Sequence, residues 1–311
     1  MKLIESNVEI IPQDVGLEGI YKQCELAGRT AYKSEDRITE GSAKKFVEAL
    51  IKSNHGAVLE HGTVYLKISH TSPVADRFYM EKVNAVNFYA RNKYSKHKRI
   101  TEDHFHIDHY ITTNLRVLFE NDRMDDLQYL CEPTEYHEKR VTAKFVCSRS
   151  IAQEITRHRV FSFLMESQRY VGYNKEKFGG ESTIIIPEWI KARINDIASY
   201  NNNDDLARMS YAAVLRDGRM HEDKAIIMWA VSQEMSETHY LSLTSELNVK
   251  AEEARSVLTN DCKTELIMTG FVSDWEHFFD LRSRGTTGKP HPDIRVLSDA
   301  LLLQFTEKKL V

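Results

Sequence analysis

The sequence of 311 residues predicts an α+β fold that is mostly helical and has a small, largely antiparallel sheet. Three observations lead to this class. Many segments repeat their apolar residues at helical spacing, and few alternate with the period of a strand. The strands and helices also do not follow one another in the regular alternation that a doubly wound parallel sheet requires.

The first half of the chain predicts a helix, a strand and then a long polar segment. Residues 42 to 54 place their apolar side chains at helical spacing behind Ser42, which we expect to cap the helix. Residues 64 to 69, VYLKIS, alternate as a half-buried strand does. From His70 to about Tyr110 the chain is rich in Lys, His and Asn and has weak periodicity, so we expect a surface excursion there.

The second half is predicted to be mainly helical. Helical patterning resumes at 114 to 130, RVTAKFVC at 140 to 147 predicts a strand, and SRSIAQEITRHR at 148 to 159 predicts a helix that begins at its serine. TIIIP at 183 to 187 predicts a short strand. The remaining predicted elements are helices, at about 204 to 216, 223 to 240, 249 to 258, 273 to 283 and 293 to 307.

The composition predicts one soluble domain that spans residues 1 to 311. A hydrophobic content of 41% is enough to bury a sizeable core, and 6 prolines without a low-complexity linker give no obvious boundary between halves. The mean hydropathy is -0.47, and no apolar run approaches the roughly twenty residues of a membrane span. The first residues lack the order of a signal peptide, so we expect a cytoplasmic protein.

The cysteines and the net charge exclude several classes of protein. Cys24, Cys131, Cys147 and Cys262 lie far apart without a C-x-x-C pair, which predicts reduced thiols and offers no zinc framework. Neither Cys147 nor Cys262 has a histidine beside it in sequence, so we interpret both as buried and unreactive. A formal net charge of -4 means that any anion site must be a local concentration of basic residues.

The strongest local feature is the stretch RHRVFSFLMESQRY at 157 to 170. Arg157, Arg159 and Arg169 lie within thirteen residues, and Glu166 is the one acid in that window. Arginines keep their protons and present planar forks of donors, so a cluster beside apolar residues needs anionic partners. Two interpretations stay open at this point: a bound phosphate, or internal salt bridges to acids elsewhere in the chain.

Two histidine-containing segments could suggest a metal site, but neither pattern is strong. NHGAVLEH supplies His55, Glu60 and His61, and its spacing is not a recognised zinc pattern. HFHIDH at 104 to 109 lies in a very polar segment, where we favour a solvated surface. We therefore predict no metal site.

Familiar nucleotide and hydrolase motifs are missing from the sequence. Neither G-x-G-x-x-G nor G-x-x-x-x-G-K-[ST] occurs, so a bound nucleotide would be held by arginines and not by a glycine-rich turn. The sequence also lacks G-x-S-x-G, which weakens a serine hydrolase interpretation. Near the C-terminus, Trp275 and Phe278 predict the buried side of a helix, and Arg282 and Arg284 could simply be its solvated end.

Four blocks of sequence resemble one family. RHR at 157 to 159, followed after seven residues by SQRY at 167 to 170, resembles the signature of the flavin-dependent thymidylate synthases. Three further blocks agree in order and spacing: HGAVLEH before a strand, AEEARSVL, and TG-x-x-x-x-W-x-H-F-x-x-x-R at 269 to 282. Together they span the chain from about residue 20 to 305.

The resemblance implies the fold of that family and an activity. It implies a homotetramer with sites between subunits and with FAD in an extended groove. It also implies that dUMP is methylated at C5 to dTMP, with 5,10-methylenetetrahydrofolate as the carbon donor and with NADPH reducing the flavin. No cysteine would attack the pyrimidine in such an enzyme.

The resemblance also implies the site residues. FAD would be contacted by His55, Arg157, His158, Arg159 and His277. The dUMP site would be lined by Glu154, Arg157, Ser167, Gln168, Arg169, Arg255 and Arg282, with Arg255 coming from another subunit. Arg282 would have the catalytic role of promoting ionisation of the uracil at N3.

The sequence departs from the family's pattern at several places. Met165 stands where Glu or Gln is usual, with Glu166 one place later, and Phe271 stands where Asn is common. Glu154 replaces a frequent Gln, so its charge would have to be neutralised near a phosphate. Two stretches look like insertions relative to the shorter members, at 70 to 138 and at 285 to 290.

Two other classes of function are compatible with parts of the sequence. A nucleic-acid-binding protein could use the basic stretches 91 to 99 and 157 to 169, although the net charge and the lack of an RNA-binding motif count against it. A metallohydrolase built on HFHIDH would require a bound metal.

Overall fold

A computed structural model describes residues 1–71, 78–101, 106–168, 172–173, 180–196 and 224–311 of the chain. Within these ranges, helices combine with a four-stranded and a three-stranded antiparallel sheet, so the predicted α+β class is confirmed. None of the helices in these ranges has both the length and the apolar character needed to cross a membrane.

The described elements are mostly short. The strands are β1 (Lys2–Ile4), β2 (Asn7–Ile11), β3 (Thr63–His70), β4 (Lys96–Thr101), β5 (Ile107–Asn114), β6 (Arg140–Ser148), β7 (Ser162–Met165), β8 (Thr183–Ile185) and β9 (Lys263–Phe271). The helices are α1 (Gly16–Tyr32), α2 (Ser42–Lys52), α3 (Gly56–Leu59), α4 (Tyr79–Arg91), α5 (Leu115–Glu120), α6 (Arg149–Ile155), α7 (Glu188–Asp196), α8 (Lys224–Leu241), α9 (Ala251–Ala254), α10 (Val272–Phe279) and α11 (Pro292–Glu307).

The four-stranded sheet has the order β2-β6-β9-β7 and contributes side chains to the first of three hydrophobic cores in the described residues. Its central pair places Ala143 of β6 opposite Met268 of β9. Fully buried aromatic side chains of α10 and α11, among them Trp275 and Phe305, pack in this core. Ile155 of α6 belongs to the same core, so α6 and α10 are both anchored there.

The three-stranded sheet, of order β3-β5-β4, corrects the prediction of a surface excursion from His70 to about Tyr110 for α4 and β5, whereas β4 is mostly exposed and residues 72–77 and 102–105 lie outside the described residues. β5 is a buried central strand, and Tyr89 of α4 is fully buried against the same core. The prediction is wrong here because polar side chains of β5 are hydrogen-bonded inside the protein. Asp108, for example, accepts a bond from Ser69 Oγ at 2.5 Å.

A third core lies beside the short parallel pair of β1 and β8. It contains Ile184, Ile190 and Trp229, from β8, α7 and α8. The indole Nε1 of Trp229 donates to Asp261 Oδ2 at 2.7 Å, which connects α8 to the residues just before β9.

Many of the elements predicted from the sequence are confirmed, with shifts at their ends. The predicted strands at 64 to 69, 140 to 147 and 183 to 187 are β3, β6 and β8. The predicted helices at 42 to 54, 148 to 159, 223 to 240, 273 to 283 and 293 to 307 correspond to α2, α6, α8, α10 and α11. The helix predicted at 204 to 216 lies outside the described residues.

Three details of the predicted elements are wrong. Gly41, with a φ of 73°, is the N-cap of α2, and the Ser42 hydroxyl instead donates to Glu25 Oε2 at 2.7 Å. The helix expected at 249 to 258 is shorter, because α9 is followed by a 3-10 turn at Arg255–Val257. β9 was expected to be part of a mostly helical region, yet it is a central strand.

Candidate active site

α6 positions the first of the residues that the resemblance assigns to a site. Ser148 caps the helix as predicted, since its Oγ accepts a hydrogen bond from the Ile151 N–H at 3.3 Å. Ile151 and Ile155 face the core, which leaves the Glu154 side chain partly exposed near the helix end. The backbone N–H of His158 donates to Ile155 O at 3.1 Å, so the RHR sequence forms the turn that leaves α6.

Arg282 joins this turn from a distant part of the chain. It lies in the π-helical turn Asp280–Arg284 that continues α10. Its Nε donates to His158 Nε2 at 3.0 Å, and its Nη1 donates to Glu154 Oε2 at 3.3 Å. The fold therefore brings together two segments that are more than a hundred residues apart in the sequence.

The bond to Arg282 determines the protonation of His158. A guanidinium can only donate, so His158 Nε2 must accept, and the proton of the neutral imidazole is then on Nδ1. Burial lowers the pKa of His158, and the positive charges of Arg282, His277 and Arg157 lower it further, to about 4. His158 is therefore neutral at neutral pH.

Aromatic side chains hold the His158 ring in place. The Phe278 ring lies 4.9 Å from it at an interplanar angle of 64°, and the Phe161 ring lies 6.5 Å away at 80°. Trp275 packs on Phe161 with ring centroids 4.7 Å apart and donates from Nε1 to Val141 O at 3.1 Å. The imidazole is thus held rigidly by its aromatic neighbours. This rigidity allows His158 to orient Arg282.

Arg157 and Arg159 differ from Arg282 in having no carboxylate partner among the residues that the structure describes. Both are exposed, and within the described ranges neither side chain forms a hydrogen bond or an ion pair. Of the two interpretations left open for the cluster of Arg157, Arg159 and Arg169, internal salt bridges do not account for the first two within the described residues, and Arg169 lies outside those residues. Their charges remain available for an anionic ligand.

The stretch assigned to dUMP is described as far as Gln168. The backbone N–H of Ser167 donates to Ala31 O at 2.9 Å, at the end of α1. Gln168 is buried, and its Nε2 lies 3.5 Å from Tyr173 Oη and 3.6 Å from Cys262 Sγ. Arg169 lies outside the described residues.

Three further assigned residues are exposed, and one of them is near His158. His277 lies close enough for its charge to lower the pKa of His158. His55 precedes α3 and bonds Ser53 Oγ through Nδ1 at 3.0 Å, while Arg255 Nε donates to Glu252 O at 3.1 Å. In the described part of the chain, neither His55 nor Arg255 contacts Glu154, His158 or Arg282.

Two polar side chains beside β9, the half-buried Arg140 and the fully buried His61, make long-range hydrogen bonds that the sequence does not predict. Arg140 donates from Nη1 to Glu60 O at 2.9 Å and from Nη2 to Ser162 Oγ at 3.3 Å, and burial lowers its pKa to about 10. His61 bonds Thr269 Oγ1 at 2.8 Å, and burial lowers its pKa to about 3. The sequence offers one sign of the role of Arg140, which is its position as a charged residue at the start of the otherwise alternating strand β6.

The thiols have the properties expected of unreactive groups. Burial raises the pKa of Cys24 and of Cys147 to about 12, and it also raises the pKa of Cys131 and Cys262. A thiol with a raised pKa is a poor nucleophile at neutral pH. The structure therefore offers no activated cysteine among its four.

The interpretation of HFHIDH as a solvated surface is wrong for its described part. Asp108 is fully buried, and Lys67 Nζ lies 2.7 Å from its Oδ2. His109 is buried between His70 and His97, to which its nitrogens lie at 3.0 and 2.8 Å. Within the described ranges, no group of three or more His, Cys, Asp or Glu side chains could hold a metal ion.

Comparison with known proteins identifies the family. The sequence model of Thy1, described as "Thymidylate synthase complementing protein", matches residues 78–309. The chain belongs to the Thy1 family. The match covers the turn after α6, β9 and Arg282, and so includes the contacts described above.

Curated relatives of this Thy1 chain are flavin-dependent thymidylate synthases by name. One from Corynebacterium efficiens is 28% identical over 154 residues, which cover 50% of this chain and 51% of that protein. A "Probable flavin-dependent thymidylate synthase" from Paramecium bursaria Chlorella virus 1 is 28% identical over 157 residues, covering 50% of this chain and 62% of that protein. The chain thus spans about half the length of the curated relatives that it matches.

A solved structure is also similar over nearly the whole Thy1 chain. It is a UMP/dUMP methylase, PolB from Streptomyces cacaoi, bound with 5-Br dUMP. The identity is 16%, the TM-score is 0.41, and the alignment covers 99% of this chain and 93% of that chain. At this identity and TM-score, the similarity establishes neither a shared fold nor a shared activity.

The structure places two of the departures from the Thy1 pattern inside the protein. Phe271 is buried at the end of β9, where Lys96 Nζ lies 5.4 Å and Arg140 Cζ 5.6 Å from its ring centroid. Glu166 is buried and paired with Lys263, at 2.9 Å between Oε2 and Nζ. The third departure, Glu154, has its charge compensated by Arg282.

Proposed function

We propose that this chain is a flavin-dependent thymidylate synthase. It would methylate dUMP at C5 to dTMP, with 5,10-methylenetetrahydrofolate as the carbon donor, FAD as the hydride carrier and NADPH as the reductant of the flavin. The observation that carries the proposal is the junction of His158 with Arg282 inside a Thy1 sequence match.

The charges around this junction suit anionic ligands. Arg157 and Arg159 are exposed without a carboxylate partner among the described residues, and Arg282 retains donors beyond its contacts with His158 and Glu154. The dUMP phosphate and the diphosphate of FAD are both multiply charged. Fixed guanidinium groups stabilise such groups most where water is partly excluded.

The residues present also fit a flavin. The donor set of Arg157, Arg159 and a neutral, rigidly held His158 combines positive charge with an imidazole whose Nδ1 still carries a proton to donate. When bound, the flavin would supply the hydride for the reduction. Arg157, His158, Arg159, His277 and His55 are the residues that we propose to hold it.

Arg282 is proposed to act on the pyrimidine. Its Nε is engaged by His158 and its Nη1 by Glu154, so the orientation of its plane is fixed. A guanidinium held in this way can stabilise negative charge at uracil N3, which increases the electron density at C5, the atom that attacks the one-carbon unit. Ser167, Gln168, Arg169 and, from another subunit, Arg255 are proposed to bind the rest of dUMP.

A single assay tests the proposal most directly. Purified protein should show a flavin absorption band at about 450 nm. It should release tritium from dUMP labelled at C5 when both NADPH and methylenetetrahydrofolate are present, and omission of either should stop the release. Colourless protein that cannot be loaded with FAD and that releases no tritium would contradict the proposed function.

The organisation of the protein is also proposed from the family. A homotetramer with sites between subunits accounts for the exposed position of Arg255, away from Arg282 in one chain. Residues 1–311 are proposed to form one domain, with residues 70 to 138 as an insertion relative to shorter members. We place the protein in the cytoplasm, which agrees with four unpaired cysteines.

A further inference from the structure

The segment Glu166–Gln168 begins the proposed dUMP-binding stretch and is attached to two separate elements through its backbone. The N–H of Glu166 donates to Glu265 O at 2.8 Å, which extends the pairing of β7 with β9 by one residue. The N–H of Ser167 donates to Ala31 O at 2.9 Å, in the last turn of α1. The next residue, Gln168, is buried beside Cys262.

A network of two buried glutamates and three half-buried lysines, which we call the lysine–glutamate network, underlies this segment. Lys263 Nζ lies 2.9 Å from Glu166 Oε2 and 2.5 Å from Glu265 Oε1. Lys144 Nζ lies 2.8 Å from Glu265 Oε2, and Lys33 also pairs with Glu265. The network therefore links α1, β6 and β9 to the Glu166 side chain.

Burial shows that Glu166 faces the protein and not a ligand. Its side chain is 4% exposed, and that of Lys263 is 15% exposed. The charge of Glu166 is thus neutralised inside the fold, and it does not cancel the charges of Arg157 and Arg159. The Glu166 carboxylate is thus engaged by Lys263 inside the protein.

We propose that Glu166 is a positioning residue for nucleotide binding, which acts by holding segment 166–168 against β9 through Lys263. Ser167 and Gln168 are then presented to dUMP in one arrangement. The inference rests on the proposed function, because it takes dUMP as the ligand of this segment. It assigns a role to an acid that stands one place away from the family's usual position.

The two glutamates of the network differ in what their removal would leave behind. Without Glu265, three lysines would lose a partner, and the loss of buried compensation would threaten the fold. Without Glu166, Lys263 still pairs with Glu265. Glu166→Ala therefore removes the side-chain attachment of the segment to Lys263, leaves its two backbone bonds in place and creates no unpaired buried charge.

The test compares Glu166→Ala with the unaltered protein in the full-length chain. We expect the dissociation constant and the KM for dUMP to rise about tenfold, because the segment must be ordered at each binding event. The kcat at saturating dUMP should stay within about twofold, since the reacting groups are untouched. Glu166→Gln, which keeps an acceptor for Lys263, should recover most of the lost affinity.

Glu237→Ala is the matched control. Glu237 is a carboxylate with an 11% exposed side chain, lies 3.0 Å from the N-terminal amine and bonds Ser182, so its removal loosens a different segment. Its dUMP affinity should match that of the unaltered protein. Unchanged dUMP affinity in Glu166→Ala would overturn the proposal. The proposal would also be overturned if Glu166→Ala and Glu237→Ala lost dUMP affinity, bound flavin and thermal midpoint to the same extent.

Hydrogen exchange separates this inference from the proposed function. In Glu166→Ala, the amides of residues 162–168 should exchange faster, while those of β9 remain protected. If the unaltered protein neither binds dUMP nor methylates it, the proposed function fails. Unaltered exchange in the variant would instead show that Glu166 does not hold the segment, whatever the ligand.

Discussion

At the scale of single residues, Arg282 is the side chain on which the proposed chemistry depends most. Arg282→Ala removes the guanidinium that is proposed to stabilise charge at uracil N3, and we expect the rate of dUMP methylation to fall by about 100-fold or more. Bound flavin should remain, because Arg157, His158 and Arg159 are unchanged. The measurements are tritium release from labelled dUMP and the flavin absorption spectrum.

Arg284→Ala is the control for this change. Arg284 is two residues away and 50% exposed, and it pairs with Asp280 at 2.6 Å on the outside of the same turn. Exposed pairs of this kind contribute little to stability, so the variant should keep its activity. Normal methylation by Arg282→Ala would refute the role assigned to Arg282.

His158 should make the stability of the protein depend on pH in a defined direction. Its pKa is about 4 in the folded chain, against 6.5 for an unperturbed histidine. Between these values the unfolded chain binds more protons, so the free energy of unfolding must fall as the pH is lowered from about 6.5 towards 4. His158→Gln keeps an acceptor for Arg282 and cannot be protonated in this range.

The contribution of His158 is the difference in pH-dependent stability between the unaltered protein and His158→Gln. His61 and His109 also have lowered pKa values, but they contribute equally to both proteins. Urea denaturation at several pH values should show a steeper loss of stability below pH 6.5 in the unaltered protein than in His158→Gln. Parallel curves would mean that the pKa of His158 is not lowered by folding.

Residue roles could be predicted from the sequence only where a motif specified them. The contact of Arg282 with His158 joins a residue that the resemblance assigns to dUMP to one that it assigns to FAD. The partner of Glu166 could not be predicted, because Lys263 is 97 positions away and no local pattern connects them. For the same reason, spacing alone could not decide whether the arginines of the cluster have carboxylate partners.

At the scale of elements, β9 shows why one central strand was not predicted. All but the first of its residues are buried, so its sequence KTELIMTGF lacks the alternation of a half-exposed strand. A short apolar run of this kind cannot be told from a buried helix by periodicity. β3 and β6 were predicted because their sequences do alternate.

Gly270 in β9 should be intolerant of a side chain. A Cβ at this position would lie 2.3 Å from Phe161 Cδ1, and Phe161 is itself packed on Trp275 beneath the turn that carries His158. We expect Gly270→Ala to lower the free energy of unfolding by about 1–3 kcal/mol, as overpacked cores do. Thermal or urea denaturation measures the change.

A second substitution tests the cause of this effect. Phe161→Leu shortens the clashing side chain, so the double variant Phe161→Leu with Gly270→Ala should be more stable than the sum of the two single changes predicts. If the losses in free energy of unfolding of the two single variants simply add in the double variant, the strain does not arise from the contact of residue 270 with Phe161.

At the scale of the whole molecule, the fold class could be predicted from the sequence, but the segments that contribute to each hydrophobic core could not. Polar composition suggested exposure for much of 70 to 110, whereas hydrogen bonds to Lys67 and Ser69 allow Asp108 to be fully buried in β5. Composition reports the polarity of a segment but not whether partners from other strands satisfy it. Residues contributed by another chain are likewise invisible to a single sequence.

Arg255 gives the test of assembly. In one chain it is exposed and bonds Glu252 O, with no contact to Arg282 in the described residues, so a shared dUMP site requires a second subunit. Arg255→Ala and Arg282→Ala should each be nearly inactive alone. When they are unfolded together and refolded as a 1:1 mixture, about a quarter of the sites should combine an intact Arg255 from one chain with an intact Arg282 from another. Tritium release should then return to about a quarter of the unaltered activity. If the mixture stays as inactive as its components, the two arginines do not meet across subunits.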